Sequence, residues 1–305
     1  MKQKVGLGNT LLKGVSRSFY LSIRLLPRLM HEPVSIGYLL ARASDTLADT
    51  EKVPAELRME CLDLFLNALK DDSTREKLEM LISKRFVKYQ TNPKEKILLE
   101  NLGDVFAWYD TVREWAWQDI AAVMKQIVAG QKWDVQFFGI DKNDQVKTEE
   151  DLDTYCYQVA GSVGEFWGNV GQHAYKRFST FSDDILKIRG VRYGKGLQLI
   201  NILRDLPEDL EQGRCYLPEI DYKDKTKLVK ATKKYRIKSR KYLEQGLAYA
   251  TSLRQKRSRI ATALPALIGL KTLDLMEEAS WEDWQQGIKI SRKEVRKCLF
   301  KALTY

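Results

Sequence analysis

The sequence has few cysteines, and they are far apart. The four are Cys61, Cys156, Cys215 and Cys298, and no two of them form a Cys-x-x-Cys pair. This spacing argues against a disulfide framework and against a zinc ribbon. We therefore expect four free thiols and a reducing, cytoplasmic location.

Long apolar runs are also lacking. No stretch reaches the ~18 consecutive apolar residues of a membrane-spanning helix, and residues 1–20 contain no signal-peptide core. The nearest approach, residues 260–275, is too short to cross a bilayer and predicts a buried helix. A membrane span is not expected, although peripheral contact with the inner membrane face stays open.

Proline and glycine are scattered, with seven and eighteen residues respectively, and no linker or repeat divides the chain. We therefore predict one domain covering residues 1–305. Apolar residues recur at helical spacing, as at Ile36, Leu39, Ala43 and Leu47, while strand-like alternation is hard to find. The predicted fold class is all-α.

Turn-forming residues suggest where the helices begin and end. The predicted helices span 5–24, 33–50, 55–70, 75–90, 93–135, 149–177, 182–212, 226–257, 258–279 and 290–302. Residues 223–259 are crowded with Lys and Arg, yet Leu228, Tyr235, Tyr242 and Tyr249 repeat every seven residues. This pattern predicts a long amphipathic helix whose basic face meets either solvent or a membrane surface.

The 51 basic residues outnumber the 41 acidic ones, for a formal charge of +10. Such a surface attracts anions, including nucleic acid, phospholipid headgroups and phosphorylated substrates. No nucleic-acid-binding motif accompanies the charge, so we expect no nucleic-acid partner. The two histidines, His31 in a predicted turn and His173 near a helix end, favour structural roles over catalysis.

Two stretches carry acidic residues at helical spacing. In the first, Tyr38, Arg42, Asp45 and Asp49 are 4, 3 and 4 residues apart, which places them on one stripe of a helix. Two acids one turn apart repel each other unless a cation lies between them. Taken alone, this stripe is also typical of an ordinary exposed acidic face.

The second stretch repeats the arrangement with Gln198, Asn201, Asp205 and Asp209 on one face. Pro207 interrupts it, because a proline removes one helical hydrogen bond and leaves the direction of Asp209 open.

Two such pairs in one chain favour a function over a solvated surface. Carboxylate oxygens suit Mg²⁺, which proteins usually bind through a few carboxylates and substrate phosphate oxygens. Two facing pairs would form a diphosphate site, and Arg42, Arg204 and Arg214 could donate hydrogen bonds to the diphosphate.

Four glycines, Gly161, Gly164, Gly168 and Gly171, lie 3, 4 and 3 residues apart within a predicted helix. Each costs up to ~1 kcal/mol of helix stability, so something must approach that backbone closely. Close helix packing and an apolar substrate tunnel are the two interpretations.

These segments resemble the squalene/phytoene synthases, the head-to-head prenyl synthases, from about Ser16 to Arg292. The sequence Ser16-Arg-Ser-Phe19 resembles the family's opening motif, and Asp45-Thr-Leu-Ala-Asp49 resembles its first aspartate motif. The segment 155–164 is similar to the central tyrosine-glycine helix. Residues 197–218 are similar to the second aspartate motif and the loop after it.

The resemblance implies a single isoprenoid synthase helical bundle around a central cavity. It implies that Asp45, Asp49, Asp205 and Asp209 hold Mg²⁺. It also implies that Asn201 is an additional metal ligand. The residues that it places around the diphosphates are Ser16, Ser18, Tyr38, Arg42, Gln198, Asn201 and Arg204. It also implies that Tyr155 occupies the position of a proposed catalytic tyrosine.

In the family's reaction, two prenyl diphosphates join head to head through a cyclopropyl diphosphate. The motif style is closer to squalene synthases, which favours two C15 farnesyl diphosphates over C20 geranylgeranyl diphosphate. Squalene formation would require NADPH, yet no Gly-x-Gly-x-x-Gly signal is present, so dehydrosqualene and a stalled presqualene diphosphate intermediate are also expected outcomes. A phytoene synthase and a non-catalytic helper protein on the same fold are the alternatives.

Overall fold

The computed structural model describes residues 10–16 and 19–305, and over these ranges the protein is all-α, as predicted. Outside the helices, the described residues form two isolated β-bridges, Gln145 with Cys215 and Ser179 with Leu253. Residues 10–15 are helical. The helices that follow are α1 (Phe19–Leu25), α2 (Arg28–Ala48), α3 (Ala55–Ala68), α4 (Asp72–Arg85), α5 (Pro93–Glu100), α6 (Leu102–Tyr109), α7 (Glu114–Asp134), α8 (Glu149–Cys156), α9 (Ser162–Ala174), α10 (Asp183–Glu211), α11 (Lys225–Ala231), α12 (Lys233–Ser252), α13 (Lys256–Glu278), α14 (Trp281–Gln285) and α15 (Arg292–Ala302). A short 3₁₀ turn spans Val87–Tyr89, and π-helical turns span Val135–Ile140 and Tyr157–Gly161.

The chain forms two compact units. The first contains residues 28–142 and the described residues up to Arg24, and the second contains residues 25–27 and 143–305. Each unit carries one of the two acidic stripes.

In the first unit, α2 lies at the centre and packs against α3, α6 and α7. The apolar stripe of α2 is buried as its spacing predicts, with Ile36, Leu39, Leu40 and Leu47 all fully inaccessible to solvent. Burying each of these side chains contributes about 1.5–3 kcal/mol. This packing fixes the direction of the polar stripe on the same helix.

In the second unit, α10 is the central helix and packs against α9, α12 and α13. A Cβ atom on Gly164 would lie 1.9 Å from the carbonyl oxygen of Gly190, and a Cβ atom on Gly194 would lie 2.1 Å from that of Ala160. The backbones of the Gly-rich segment and α10 therefore touch. Of the two interpretations of the glycine stripe, the structure supports close helix packing.

Several predicted boundaries were wrong. The single helix expected at 93–135 is three helices, because Asn101 closes α5 with its backbone N–H directed at the carbonyls of the last turn. The helix expected at 226–257 breaks at Thr232, whose hydroxyl donates to the carbonyl of Val229 at 2.7 Å. The helix expected at 149–177 contains the π-helical turn Tyr157–Gly161 and ends at Ala174.

His31 was predicted to lie in a turn, which was also wrong. It lies within α2, which begins at Arg28 and continues through Pro33. His173 lies in the last turn of α9, as predicted.

The basic segment at 223–259 has a buried aromatic stripe, as its heptad spacing predicts. Leu228, Tyr235 and Tyr249 are at most 1% exposed, while Tyr242 is half-buried. Several cations on the other faces form ion pairs within the second unit: Lys234 with Glu149 and Glu219, Lys238 with Glu149 and Asp153, and Arg240 with Asp274 and Glu277. These contacts favour the solvated basic face over a membrane-facing one at this segment.

The apolar stretch at 260–275 lies in α13 and is largely buried, as predicted. Among the described residues, no helix combines the length and apolarity needed to cross a bilayer. All four cysteines are buried and free, and burial raises the pKa of Cys61 and of Cys156 to about 12.

Candidate active site

The first acidic stripe lies on the C-terminal half of α2. The guanidinium of Arg42 lies between two carboxylates: its Nη1 is 2.5 Å from Oδ2 of Asp45, and its Nη2 is 2.5 Å from Oε1 of Glu95. Asn92 also donates to Glu95, at 2.9 Å. Asp45 and Arg42 thus lie at one partly exposed polar cluster, with the Asp45 side chain 39% exposed.

In this cluster the negative charges outnumber the positive charge. Burial raises the pKa of Asp45, the charge of Arg42 lowers it, and the Glu95 carboxylate raises it again, with a net rise. Two carboxylates share one guanidinium, so with both ionised the cluster carries a net charge of −1. A further cation at Asp45 would be stabilised.

Asp49 lies one residue beyond the end of α2 and is exposed. Its backbone N–H still donates to the carbonyl of Asp45 at 2.9 Å, so the helical path continues to it. Asp45 and Asp49 are therefore separated by one helical turn, as the spacing predicts.

The residues matching the opening motif contact the same helix. The Tyr38 hydroxyl donates to the carbonyl of Val15 at 3.3 Å, and the Tyr38 ring stacks on Phe19 with centroids 5.7 Å apart. Ser16 is buried, and its hydroxyl donates to the Leu12 carbonyl. This hydrogen bond gives Ser16 a structural role at the end of the helical segment 10–15. Ser18 lies outside the described residues.

The second stripe lies on α10. Gln198 and Asn201 are one turn apart, and the Asn201 amide donates to Oε1 of Gln198 at 3.3 Å. The Arg204 guanidinium holds both carboxylate oxygens of Asp205, with Nε to Oδ1 at 2.7 Å and Nη2 to Oδ2 at 2.6 Å. These hydrogen bonds raise the pKa of Arg204. The Asp205 side chain remains 43% exposed.

Helix α10 passes through Pro207 and ends at Glu211, so Asp209 lies within a helix. The helix closes with a Schellman motif: the Arg214 N–H donates to the Asp209 carbonyl at 2.8 Å, and the Gly213 N–H donates to that of Leu210 at 3.1 Å. Gly213 adopts φ +74°, which favours glycine. The motif holds the backbone of Arg214 against the carbonyl of Asp209, and the Arg214 side chain donates to Gln212.

Tyr155 lies on α8 in the same unit as the second stripe. Its ring stacks on Tyr216 with centroids 5.2 Å apart and an interplanar angle of 22°. Tyr216 is 7% exposed. It belongs to the loop that follows the second aspartate motif, but the sequence gives Tyr216 itself no separate signal.

Glu95 was also missed by the sequence analysis. It lies 53 residues from its partner Arg42 and belongs to no recognisable motif. Only the packing of α5 against α2 brings the two side chains together.

Within the part of the chain that the structure describes, no three His, Cys, Asp or Glu side chains lie close enough together to hold one metal ion. The donor chemistry of each stripe nevertheless fits Mg²⁺, because each offers two carboxylates one turn apart, with the first partly exposed. Mg²⁺ keeps several waters and takes few protein ligands, so a pair of carboxylates suits this ion.

Comparisons with known proteins show which family the chain is similar to. The family model described as squalene/phytoene synthase matches residues 12–294. The squalene synthase of Nicotiana benthamiana is 27% identical over 285 residues, which cover 88% of this chain and 63% of that protein. Human squalene synthase is 29% identical over 211 residues, covering 68% of this chain and 45% of that protein.

Solved structures share the fold. The ligand complex of TcSQS matches 99% of this chain and 87% of that chain, with a TM-score of 0.82 and 22% identity. A dehydrosqualene synthase in complex with a ligand matches 100% of this chain and 96% of that chain, with a TM-score of 0.65 and 21% identity. At this level of identity, the structures establish the fold alone.

The chain spans less than two thirds of the Nicotiana benthamiana and Schizosaccharomyces pombe squalene synthases, at 63% and 43% of their lengths. The family model, in contrast, covers nearly the whole chain, including both acidic stripes and Tyr155. The chain belongs to the squalene/phytoene synthase family.

Proposed function

We propose that the protein joins two prenyl diphosphates head to head, with C15 farnesyl diphosphate as substrate and squalene or dehydrosqualene as product. The observation that carries the proposal is the same arrangement of acidic and basic side chains at α2 and at α10. Helix α2 with the turn residue that follows it, and helix α10, each present two aspartates one turn apart and an arginine paired with the first of them. Membership of the squalene/phytoene synthase family supports this assignment.

In this proposal Asp45, Asp49, Asp205 and Asp209 hold Mg²⁺, with Asn201 as a further oxygen ligand. When bound, Mg²⁺ stabilises the negative charge that collects on a departing diphosphate. Three arginines and an amide donate hydrogen bonds to diphosphate oxygens: Arg42, Arg204, Arg214 and Gln198.

The residues around the diphosphates have two tasks in this reaction. They orient the first substrate so that the carbon of its breaking carbon–oxygen bond faces the double bond of the second substrate, and they exclude water from the allylic cation. A proton must then leave for the cyclopropane ring to close. Tyr155 assists that transfer, and because a phenol with a pKa near about 10 is a weak base, the released diphosphate is the final acceptor.

The product depends on the last step. Squalene requires hydride delivery from NADPH, whereas dehydrosqualene forms by proton loss. The described residues contain no parallel sheet of the dinucleotide-binding type, so NADPH would have to bind among helices. The product formed with and without NADPH distinguishes the two routes.

The direct test is product identification. Purified protein is incubated with C15 or C20 prenyl diphosphate, Mg²⁺, and NADPH or none, and the extracted lipid is identified by mass spectrometry. We expect squalene or dehydrosqualene from the C15 substrate and no product when EDTA removes the metal. Phytoene from the C20 substrate alone would replace C15 with C20 in the proposal.

A non-catalytic helper on the same fold is the second candidate. Such a protein has no need of metal-binding acids, whereas this chain keeps both pairs at the spacing that the chemistry requires. Absence of any diphosphate release with either substrate would favour the helper.

We further propose that the protein makes peripheral membrane contact through α15 and not through the basic segment at 223–259. Phe300 is 70% exposed and Leu303 is 44% exposed. Arg296 lies one turn and Lys293 two turns before Phe300 on the same face, and both are exposed. An exposed aromatic flanked by cations suits an anionic lipid surface.

This contact is tested by sedimentation with vesicles of phosphatidylglycerol and phosphatidylcholine. We expect Phe300→Ser to lower the bound fraction at least about threefold, since it removes the apolar anchor. Met80→Ser, which removes an exposed apolar residue from the less basic helix α4, is the control and should bind like wild type. Equal loss in both variants, or no binding by wild type, would contradict the proposal.

A further inference from the structure

The loop after α10 carries a ring that touches Tyr155. Tyr216 is nearly buried and stacks on Tyr155 at a centroid distance of 5.2 Å. The interplanar angle of 22° means that the two rings lie almost face to face. One face of the Tyr155 ring is therefore covered by another side chain, which restricts the plane in which that ring can lie.

The loop is held in place on both sides of Tyr216. Before it, the Cys215 N–H donates to the Asp144 carbonyl at 2.8 Å, and the Cys215 carbonyl accepts from the Val146 N–H at 2.9 Å. After it, the side-chain amide of Gln145 donates to the carbonyls of Leu217 and Ile220, both at 2.9 Å. These bonds join the loop to the segment that leads directly into α8.

The same loop is joined to the second acidic stripe. The Schellman motif at Gly213 ties the Arg214 N–H to the Asp209 carbonyl, so Tyr216 follows Asp209 by a short path with fixed backbone geometry. A further anchor is Tyr235, whose hydroxyl contacts the Pro218 carbonyl at 2.8 Å and Oε1 of Glu149 at 2.9 Å. Glu149 begins α8, the helix of Tyr155.

We infer that Tyr216 is a positioning residue that sets the orientation of Tyr155 relative to the end of α10. The inference rests on the proposed function, in which Tyr155 assists proton loss. The Tyr216 ring is the flat surface on which the Tyr155 ring packs. The hydrogen bonds of Gln145 and of the Cys215 backbone hold the loop that carries Tyr216 in place. Rotation of the ring about its own axis leaves the hydroxyl in place, but a swing of the side chain about the Cα–Cβ bond carries the hydroxyl away, and the stacked ring of Tyr216 opposes that swing. Proton transfer needs heavy-atom distances of about 2.6–3.2 Å, so a Tyr155 free to swing would spend little time in reach of its proton.

The test compares Tyr216→Phe with Tyr216→Leu. Phenylalanine keeps the ring, so we expect turnover within about twofold of wild type. Leucine removes the flat surface, so we expect kcat to fall about tenfold or more while KM changes less than about twofold. Both variants should retain a cooperative thermal transition, because leucine still fills most of the apolar volume.

A double-mutant cycle separates positioning from a general loss of packing. If Tyr216 acts through Tyr155, Tyr216→Leu should lower kcat by less than about twofold when Tyr155 is already phenylalanine. The full tenfold loss in that background would overturn the inference. Equal losses in Tyr216→Phe and Tyr216→Leu would also overturn it, because the hydroxyl and not the ring would then matter.

A spectroscopic readout makes the outcome independent of turnover. In tyrosine-labelled protein, the Tyr155 ring resonance, assigned from Tyr155→Phe, should move in Tyr216→Leu and stay in place in Tyr216→Phe. If wild type turns over, and Tyr216→Leu changes neither the Tyr155 resonance nor kcat, the positioning role is rejected and the proposed function stands. A wild type that converts no prenyl diphosphate rejects the proposed function and, with it, any catalytic purpose of the stack.

Discussion

Arg204 binds the carboxylate of its immediate neighbour Asp205 at two points, at 2.7 and 2.6 Å. The first stripe repeats this pairing between Arg42 and Asp45. In both stripes, a cation already lies at the acid that the proposal assigns to Mg²⁺. We therefore expect each arginine to move from its aspartate to the diphosphate when metal and substrate bind.

Arg204→Gln should weaken the reaction with diphosphate substrates. Hydrogen bonds to charged groups contribute about 1.5–3 kcal/mol, so kcat/KM should fall about 10- to 150-fold. Arg204→Lys should recover only part of this loss, because lysine cannot donate to two oxygens in the fork geometry of arginine. Steady-state diphosphate release measures both variants.

The matched control is Arg192→Gln on the same helix. Arg192 is exposed and donates to Gln245 at 3.2 Å, so its loss should leave kcat/KM within about twofold of wild type. Similar losses at Arg192 and Arg204 would indicate a general charge effect and contradict the specific role.

Gly164→Ala should strongly destabilise the second unit. The added Cβ would lie 1.9 Å from the Gly190 carbonyl oxygen, so α9 and α10 must separate. We expect a loss of about 3 kcal/mol or more in unfolding free energy, at the upper end of overpacking costs. Urea denaturation followed by circular dichroism measures it.

Gly168→Ala is the internal control on the same helix. Its Cβ would lie 3.3 Å from the Tyr249 hydroxyl, so that hydroxyl has to move by only a few tenths of an ångström. Alanine also favours the helix by up to about 1 kcal/mol, so the net change should stay within about 1 kcal/mol. If the two substitutions cost the same, the close backbone approach of α9 and α10 is not what the glycines provide.

The environment of Glu149 should make the stability of the protein depend on pH. Burial alone would raise the pKa of Glu149, but hydrogen bonds from Lys234 and Tyr235 and the charge of Lys238 outweigh it and hold that pKa below its ordinary value of 4.5. A carboxylate with a lowered folded pKa stabilises the protein above its unfolded pKa, and the contribution disappears as pH falls through the folded pKa. The side chain is 40% exposed, so the effect should be under about 1 kcal/mol.

Thermal denaturation of wild type and Glu149→Gln tests this sign. The difference in Tm should be largest near pH 7 and should shrink as pH falls below about 4.5. Glu150→Gln, at the exposed neighbouring position, should show no such trend. A Tm difference for Glu149→Gln that stays constant from pH 7 to pH 3.5 would contradict the assignment.

The sequence predicted the fold class, the buried stripe of α2 and the helical register of both acidic stripes, because these depend on local spacing. Buried Leu228 and Tyr235 follow directly from a seven-residue repeat. The break at Thr232 between them was missed, since a threonine hydroxyl that closes a turn has no periodic signal.

The site was predicted less completely because its contacts are not local. Arg42 reaches Glu95 across 53 residues, and no spacing rule connects them. The pairing of Arg204 with Asp205 was also unexpected, because adjacent helical residues do not normally face each other. The stack of Tyr216 on Tyr155 depends on the Schellman turn at Gly213 and on Gln145, a residue without a recognisable motif.

The central claim is that the aspartates of both stripes are needed for departure of the diphosphate. Its most direct measurement is Mg²⁺-dependent diphosphate release from farnesyl diphosphate by Asp45→Asn and Asp205→Asn. Glu208→Gln, an exposed acid on α10 beside the stripe, is the control. We predict release below about 1% of wild type in both aspartate variants, with helical circular dichroism intact and the control above about half of wild type. Retained release in both Asp45→Asn and Asp205→Asn would contradict the account.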